Sequence, residues 1–241
     1  MKISVAQTKP IKGNIQKNIE NHIRIIKLAV SEEADVIIFP ELSLTGYEPE
    51  LAQKLAVEKD DVRFDNLQKI SSVDQIIIGV GVPIKNGSEV SISMLIFHPD
   101  KERQVYYKQY LHASEDKFFS SRNNLNNLIY GESIALAICY ELSVPMHSER
   151  AFKRGAAFYI ASVVESVEYV DKSIDKLAKI AKKYAMTVFM SNCIGKTGRY
   201  NAAGKTSIWD KKGELLIQLN TNEEGIVILD TTSNKTFLKY L

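Results

Sequence analysis

Three segments of the chain end an apolar run on a reactive side chain. VIIFPELSLTGYEP places Glu41 just past one run, QVYYKQYLHASEDKFF places Lys108 past a second, and ESIALAICYELSVP places Cys139 past a third. A carboxylate, an ammonium and a thiol make a base, an electrostatic stabiliser and a nucleophile. Singly, each has an ordinary explanation. A cysteine closing an apolar strand is usually inert core, and a glutamate or lysine at a strand end is usually solvated. The three together form a chemical set.

That set addresses a specific energetic problem. A carboxylate near pKa 4.3 is a poor base for a thiol near 8.5, a gap of about 4 units or roughly 6 kcal/mol. Burial raises the carboxylate and an ammonium beside the sulfur lowers the thiol, so Lys108 between Glu41 and Cys139 is expected to favour the thiolate. The same ammonium, with the backbone N–H of Tyr140, would stabilise the oxyanion formed when sulfur attacks a carbonyl carbon. Glu41 would take the thiol proton, pass it to the leaving group, and act again on water. Glu141, two residues past Cys139, is expected to brace the nucleophile's turn through hydrogen bonds rather than to react. A rival cysteine–histidine mechanism would use His112 or His147 as base, but the local signature of such enzymes around the cysteine is missing.

These residues need a scaffold whose strand ends converge. Ile15, Ile19, Ile23 and Ile26 recur at helical spacing behind Asn14, predicting a capped amphipathic helix over residues 15 to about 30. Strands are expected over 34–39, 75–82, 91–98, 103–107, 134–139, 156–162 and 187–192, with a PDKE turn between the fourth and the third. Val170, Ile174, Leu177, Ala181 and Tyr184 mark a second helix, and SIWDKKGELLIQL reads as a hairpin turning at residues 211–213. The alternation predicts a layered α/β domain, in which reactive groups gather beyond the C-terminal ends of strands. GVG at 79–81 is not a dinucleotide fingerprint, because a strand and not a helix follows it.

Composition narrows the function classes. The 241 residues are 45% hydrophobic and 25% charged, as expected of one globular domain over 1–241. A net charge of +2 without a basic stripe excludes a nucleic-acid partner, and apolar runs well short of ~20 residues exclude a membrane span. MKISVAQTKP reads as a strand and not a signal segment, so a soluble, cytoplasmic protein is expected. Cys139 and Cys193 form no CxxC pair, and the four histidines have no HExxH spacing, so neither a disulfide framework nor a metal centre is expected.

FPELSLTGYEPEL, YYKQYLHASEDKFF and ICYELSVP, in that order, resemble the three signature segments of the nitrilase superfamily of carbon–nitrogen hydrolases. The resemblance continues from KISVAQTKP to MSNCIGKTG and AGKTSIWDKKGELL. It implies a four-layer αββα sandwich, a Glu41–Lys108–Cys139 triad, no metal or organic cofactor, and a homodimer, to which the apolar segment TFLKYL is suited. The implied activity is hydrolysis of a non-peptide carbon–nitrogen bond in a small amide, N-carbamoyl compound or nitrile through a thioester. The alternatives are acyl transfer from the same intermediate and a catalytically idle binding homologue. A supporting carboxylate between the lysine and the cysteine matches Glu115, with Asp116 one residue away as competitor. Its implied role is to hold Lys108 and orient substrate or water. The chain departs from the pattern at Ser143, where many members carry arginine, which argues against a carboxylate-bearing or carbamoyl substrate. It departs again at SSRNN, where many have glycine.

Overall fold

The computed structural model describes residues 1–99, 101–124, 128–129, 131 and 133–241. The chain runs β1 (Lys2–Gln7), α1 (Ile15–Ser31), β2 (Val36–Ile38), α2 (Ala52–Leu55), α3 (Asp65–Val73), β3 (Ile77–Asn86), β4 (Glu89–Phe97) and β5 (Gln104–Tyr107). It continues β6 (Leu128–Ile129), β7 (Ile134–Ile138), α4 (Pro145–Lys153), β8 (Phe158–Ser162), α5 (Val170–Tyr184) and β9 (Thr187–Ser191). The last third is β10 (Ile194–Thr197), β11 (Tyr200–Ala203), β12 (Ser207–Trp209), β13 (Leu215–Gln218), β14 (Gly225–Asp230) and β15 (Lys235–Tyr240).

Two sheets dominate. One has the order β15-β14-β1-β2-β3-β4-β5 and the other β13-β12-β9-β8-β7-β6, and each has a parallel centre, β1–β2–β3 and β7–β8–β9. The alternation of side chains along each strand explains why the sheets stack. In β7, Ile134, Leu136 and Ile138 enter the core between the sheets, while Ala135 and Ala137 face the outer layer. Val36 and Ile38 of β2 join the same central core, and Ile37 turns outward. Helix α1 covers the outer face of the first sheet with Ile15, Ile19, Ile25, Ile26 and Ala29, and the Asn14 side chain caps it by accepting from the Lys17 N–H. Helix α5 covers the second sheet with Val170, Leu177, Ile180, Ala181 and Tyr184. The result is the expected four-layer αββα sandwich.

The hairpin over 207–218 forms, with Gly213 at φ +82 in its turn. β2 is shorter than expected because Ala34 is used to close the end of α1, its N–H bonding to Ala29 O. β3 runs on through Pro83 because this stretch pairs with β4 through residue 86. Helix α4 and the β10–β11 hairpin lack a strong period in sequence and were not expected. TFLKY, the first five residues of TFLKYL, lies in the edge strand β15. The PDKE turn contains Asp100, which lies outside the described residues. Among the described residues, no helix is long and apolar enough to cross a membrane.

Candidate active site

Glu41 follows β2 by three residues, in a loop laid against β3. The Phe39 N–H bonds to Gly79 O, the Leu44 N–H bonds to Gly81 O, and the Gly81 N–H bonds to Ser43 Oγ. A Cβ at Gly81 would lie 2.3 Å from both Leu42 N and Pro40 O, so only glycine permits this approach. The GVG stretch therefore seats the loop that carries Glu41. Leu42, directly after it, takes φ +48.

Lys108 leaves the end of β5 and is completely buried. Its Nζ donates to Glu41 Oε1 at 2.8 Å and to Glu115 Oε1 at 2.9 Å. Both Glu115 oxygens are engaged, since Oε1 also accepts from the Tyr47 hydroxyl at 2.8 Å and Oε2 accepts from the His112 N–H at 2.8 Å. Asp116 is exposed, so the carboxylate that meets Lys108 is Glu115. Glu41 differs in one respect. Its Oε2 is buried with no hydrogen-bond partner among the described residues, and the Cys139 thiol is close enough to act on its carboxyl.

Cys139 opens a 3₁₀ turn, Cys139–Ser143, directly after β7 and adopts φ +45. A non-glycine residue in the left-handed region is held there at some cost in strain, and such positions gather at functional sites. Glu141 supplies the hold, as the sequence led us to expect. Its Oε2 accepts from the Ile138 N–H at 2.7 Å and the Tyr106 hydroxyl at 2.6 Å, and Oε1 accepts from the Gln109 N–H at 2.6 Å. One buried carboxylate thus ties the residue before Cys139 to the residue after Lys108. His147 extends this brace, with Nε2 2.9 Å from the Tyr106 hydroxyl and Nδ1 2.9 Å from the Tyr159 hydroxyl. Burial, with Arg150 adding to it, lowers His147 to about 4, so it is a neutral structural imidazole. His112 does border the cleft, where Nδ1 pairs with Ser114 Oγ at 2.8 Å.

Burial raises the Glu41 carboxyl to about 7, although Lys108 pulls the other way. Burial alone would lower the Lys108 ammonium, but Glu41 and Glu115 outweigh it and hold the group above its usual value. The Cys139 thiol is pushed well up, by burial first and then by Glu41, with Lys108 opposing. Lys108 pulls the thiol down as expected, but burial and two carboxylates set against one ammonium outweigh it, so the net environment opposes ionisation of the sulfur. The resting pair is a neutral thiol facing a carboxylate whose basicity has been raised.

A cleft of about 850 Å³ opens onto Cys139, Glu41 and Glu115, walled by Tyr47, Tyr140 and Tyr200. Lys172, Lys176 and Arg199 also border it as exposed cations. Ser143, where an arginine would have followed the resemblance, accepts from Lys176 Nζ at 2.8 Å. Sequence reasoning missed Tyr47, Tyr106, Glu165 and Ser166. The strand-end criterion applied to β8 would have found the last two. Tyr47 offered no signal beyond its place in the Glu41 segment. Among the described residues, no group of three or more His, Cys, Asp or Glu is placed to hold a metal ion.

Comparison with known proteins gives a consistent picture. The sequence model described as carbon–nitrogen hydrolase matches residues 2–236. The chain is 24% identical over 237 residues to the glutamine-dependent NAD(+) synthetase of Aquifex aeolicus, covering 94% of this chain and 41% of that protein. It thus spans about four-tenths of the length of that relative and of the like-named Thermotoga maritima protein. It is 28% identical over 212 residues to the 2-oxoglutaramate amidase of Bacillus subtilis, covering 82% of this chain and 78% of that protein. A cysteine-to-alanine mutant of the amidase from Nesterenkonia sp. AN1 in complex with butyramide shares the fold. The TM-score is 0.85 at 21% identity, covering 97% of this chain and 92% of that one.

Proposed function

Because the chain belongs to the carbon–nitrogen hydrolase family, we propose that it is an amidase that cleaves a small amide through a thioester on Cys139, with Glu41 as base. N-carbamoyl compounds and nitriles are further substrates for the same nucleophile. The observation that carries the reading is the unequal treatment of the two carboxylates. Glu115 has both oxygens engaged by three donors, whereas Glu41 Oε2 has no hydrogen-bond partner among the described residues, and the Cys139 thiol acts on that carboxyl. A carboxylate with both oxygens held by donors positions, and one with an unpartnered oxygen can accept a proton.

In the proposed sequence Glu41 Oε2 takes the Cys139 proton as the sulfur attacks the carbonyl carbon. The negative charge passes to the carbonyl oxygen, where Lys108 and the Tyr140 backbone N–H stabilise it. Collapse of the tetrahedral intermediate breaks the carbon–nitrogen bond, and the amine leaves with the proton from Glu41. Water then attacks the thioester, Glu41 takes a proton from it, and the thiol recovers one as the acid departs. A neutral resting thiol suits this scheme, because the ionic charge is created only when substrate is present to receive it. Glu115 keeps Lys108 in place throughout. The reading takes residues 1–241 as one hydrolase domain, cytoplasmic, and homodimeric through an edge where Leu216, Phe237 and Leu238 are exposed.

The test is intact-protein mass spectrometry after mixing with a panel of small amides, N-carbamoyl compounds and nitriles. An acyl adduct should appear on Cys139 and be absent from Cys139→Ala. An adduct that persists in that variant, or maps to Cys193, would overturn the assignment.

A further inference from the structure

Beyond the residues assigned to the reaction, the cleft holds a second polar pair. Glu165 and Ser166 follow β8 by three and four residues, and β8 pairs in parallel with β7 so that Ser162 lies beside Ile138. Glu165 and Cys139 therefore leave neighbouring strands at the same end of the sheet, and both border the cleft.

The backbone under Glu165 is fixed. Its N–H donates to Asn192 Oδ1 at 2.9 Å, and its carbonyl accepts from the Ala203 N–H at 2.9 Å and from Asn192 Nδ2 at 3.1 Å. The Val167 N–H bonds to Asn201 O at 3.0 Å, which pins the segment on its other side. Ser166 borders the cleft, and its hydroxyl is buried on this fixed backbone with no hydrogen-bond partner among the described residues. A buried, unpartnered hydroxyl is costly unless a ligand satisfies it. The Glu165 carboxylate is partly buried, makes no salt bridge among the described residues, and interacts with the Ser173 hydroxyl.

The charges around it indicate which ligand would fit. Glu41, Glu115 and Glu165 are three carboxylates in the cleft, and Lys108, the single buried ammonium among the described residues, is already shared by the first two. The cations bordering the cleft are exposed: Lys176 donates to Ser143 Oγ and acts on the Glu165 carboxylate only at a distance, without a salt bridge, Arg199 donates to the Tyr200 hydroxyl at 3.0 Å, and Lys172 stands over the Tyr169 ring. Glu168, also bordering the cleft, adds a further negative charge.

We propose that Glu165 and Ser166 form a specificity site for an ammonium group on the acyl portion of the substrate, so that the preferred substrates are small amides carrying an amine. The ammonium would donate to the Glu165 carboxylate and to Ser166 Oγ while the amide carbonyl reaches Cys139. This assignment rests on the amidase reading of the same cleft.

The test measures kcat/KM for 3-aminopropanamide, 4-aminobutanamide and 5-aminopentanamide against their neutral isosteres butanamide, pentanamide and hexanamide, with succinamate as the anionic control. At least one ammonium amide should exceed its isostere by about tenfold or more, as a desolvated charge pair allows, and succinamate should be the poorest. Glu165→Gln should collapse that ratio toward one, and Ser166→Ala should reduce it in part. A merely structural defect would slow both members of a pair alike and leave the ratio unchanged. A neutral or anionic preference in the wild type, or a cationic preference that survives Glu165→Gln, would overturn the proposal. Calorimetry with Cys139→Ala separates it from the parent reading: if no amide turns over, the amidase reading fails. Tighter binding of ammonium amides, lost when Glu165→Gln is added, would still support the recognition site, and equal binding would refute it.

Discussion

Cys139 and Cys193 occupy comparable places in the chain. Each follows, within two residues, a five-residue buried strand of the same six-stranded sheet, β7 in one case and β9 in the other. Burial pushes both thiols up, Cys193 to about 12. Acidity therefore does not distinguish them. What differs is direction and company. Cys139 takes φ +45, borders the cleft beside Glu41, and acts on a carboxyl whose Oε2 has no hydrogen-bond partner among the described residues. Cys193 is 1% exposed in the core between the sheets, its N–H held by the neutral side chain of Asn192. In the proposed reaction the thiol becomes a nucleophile through access and a placed base, not through a depressed pKa.

The sharpest way to break that comparison is to remove each sulfur in turn. Cys139→Ala should abolish both turnover and the acyl-enzyme in single-turnover mass spectrometry with any amide that acylates the wild type. If Cys193→Ala does so instead, the two sites have been assigned the wrong way round.

Next in size is the base. Glu41→Gln should slow acylation and deacylation together by the 10²–10⁴ typical of general acid–base catalysis, whereas Glu115→Gln should lose less. Glu41 must be ionised to accept the thiol proton. Because burial raises it to about 7, the acylation rate should fall tenfold per pH unit below that value and level off above it. In Glu41→Gln this acidic limb should vanish. An unchanged limb, or one abolished by His112→Ala, would favour the cysteine–histidine mechanism.

Lys108→Met leaves two buried carboxylates without their shared cation. Breaking a buried pair in this way typically costs about 3–5 kcal/mol, which urea unfolding would measure. The same variant should react more slowly with iodoacetamide at Cys139, because the ammonium that opposes the rise of the thiol has gone. Faster labelling would mean that Lys108 does not act on the sulfur.

In the native wild type, iodoacetamide should modify Cys139 and leave Cys193 until the protein unfolds, since only an opening of the core exposes the second sulfur. The smallest effect belongs to Cys193→Ala, which should cost about 1 kcal/mol through a small cavity and leave the acylation rate unchanged. A marked loss of acylation would show that this buried sulfur supports the neighbouring site.

Much of this protein is written in its local patterns. Periods of 3.6 and 2 mark α1, α5 and the central strands, because amphipathic spacing depends only on a residue's near neighbours. The strand-end positions of Glu41, Lys108 and Cys139, and the bracing place of Glu141, follow from the same reading. Tertiary structure decided what those residues mean to one another. Lys108 meets Glu41 across 67 positions of chain and the Tyr47 hydroxyl meets Glu115 across 68, while Glu115 rather than Asp116 reaches Lys108 across a short loop. The neutral thiol is a further case. Its charge state depends on how many carboxylates surround one ammonium and how far water is excluded, and both quantities exist only once the two sheets have closed over the site.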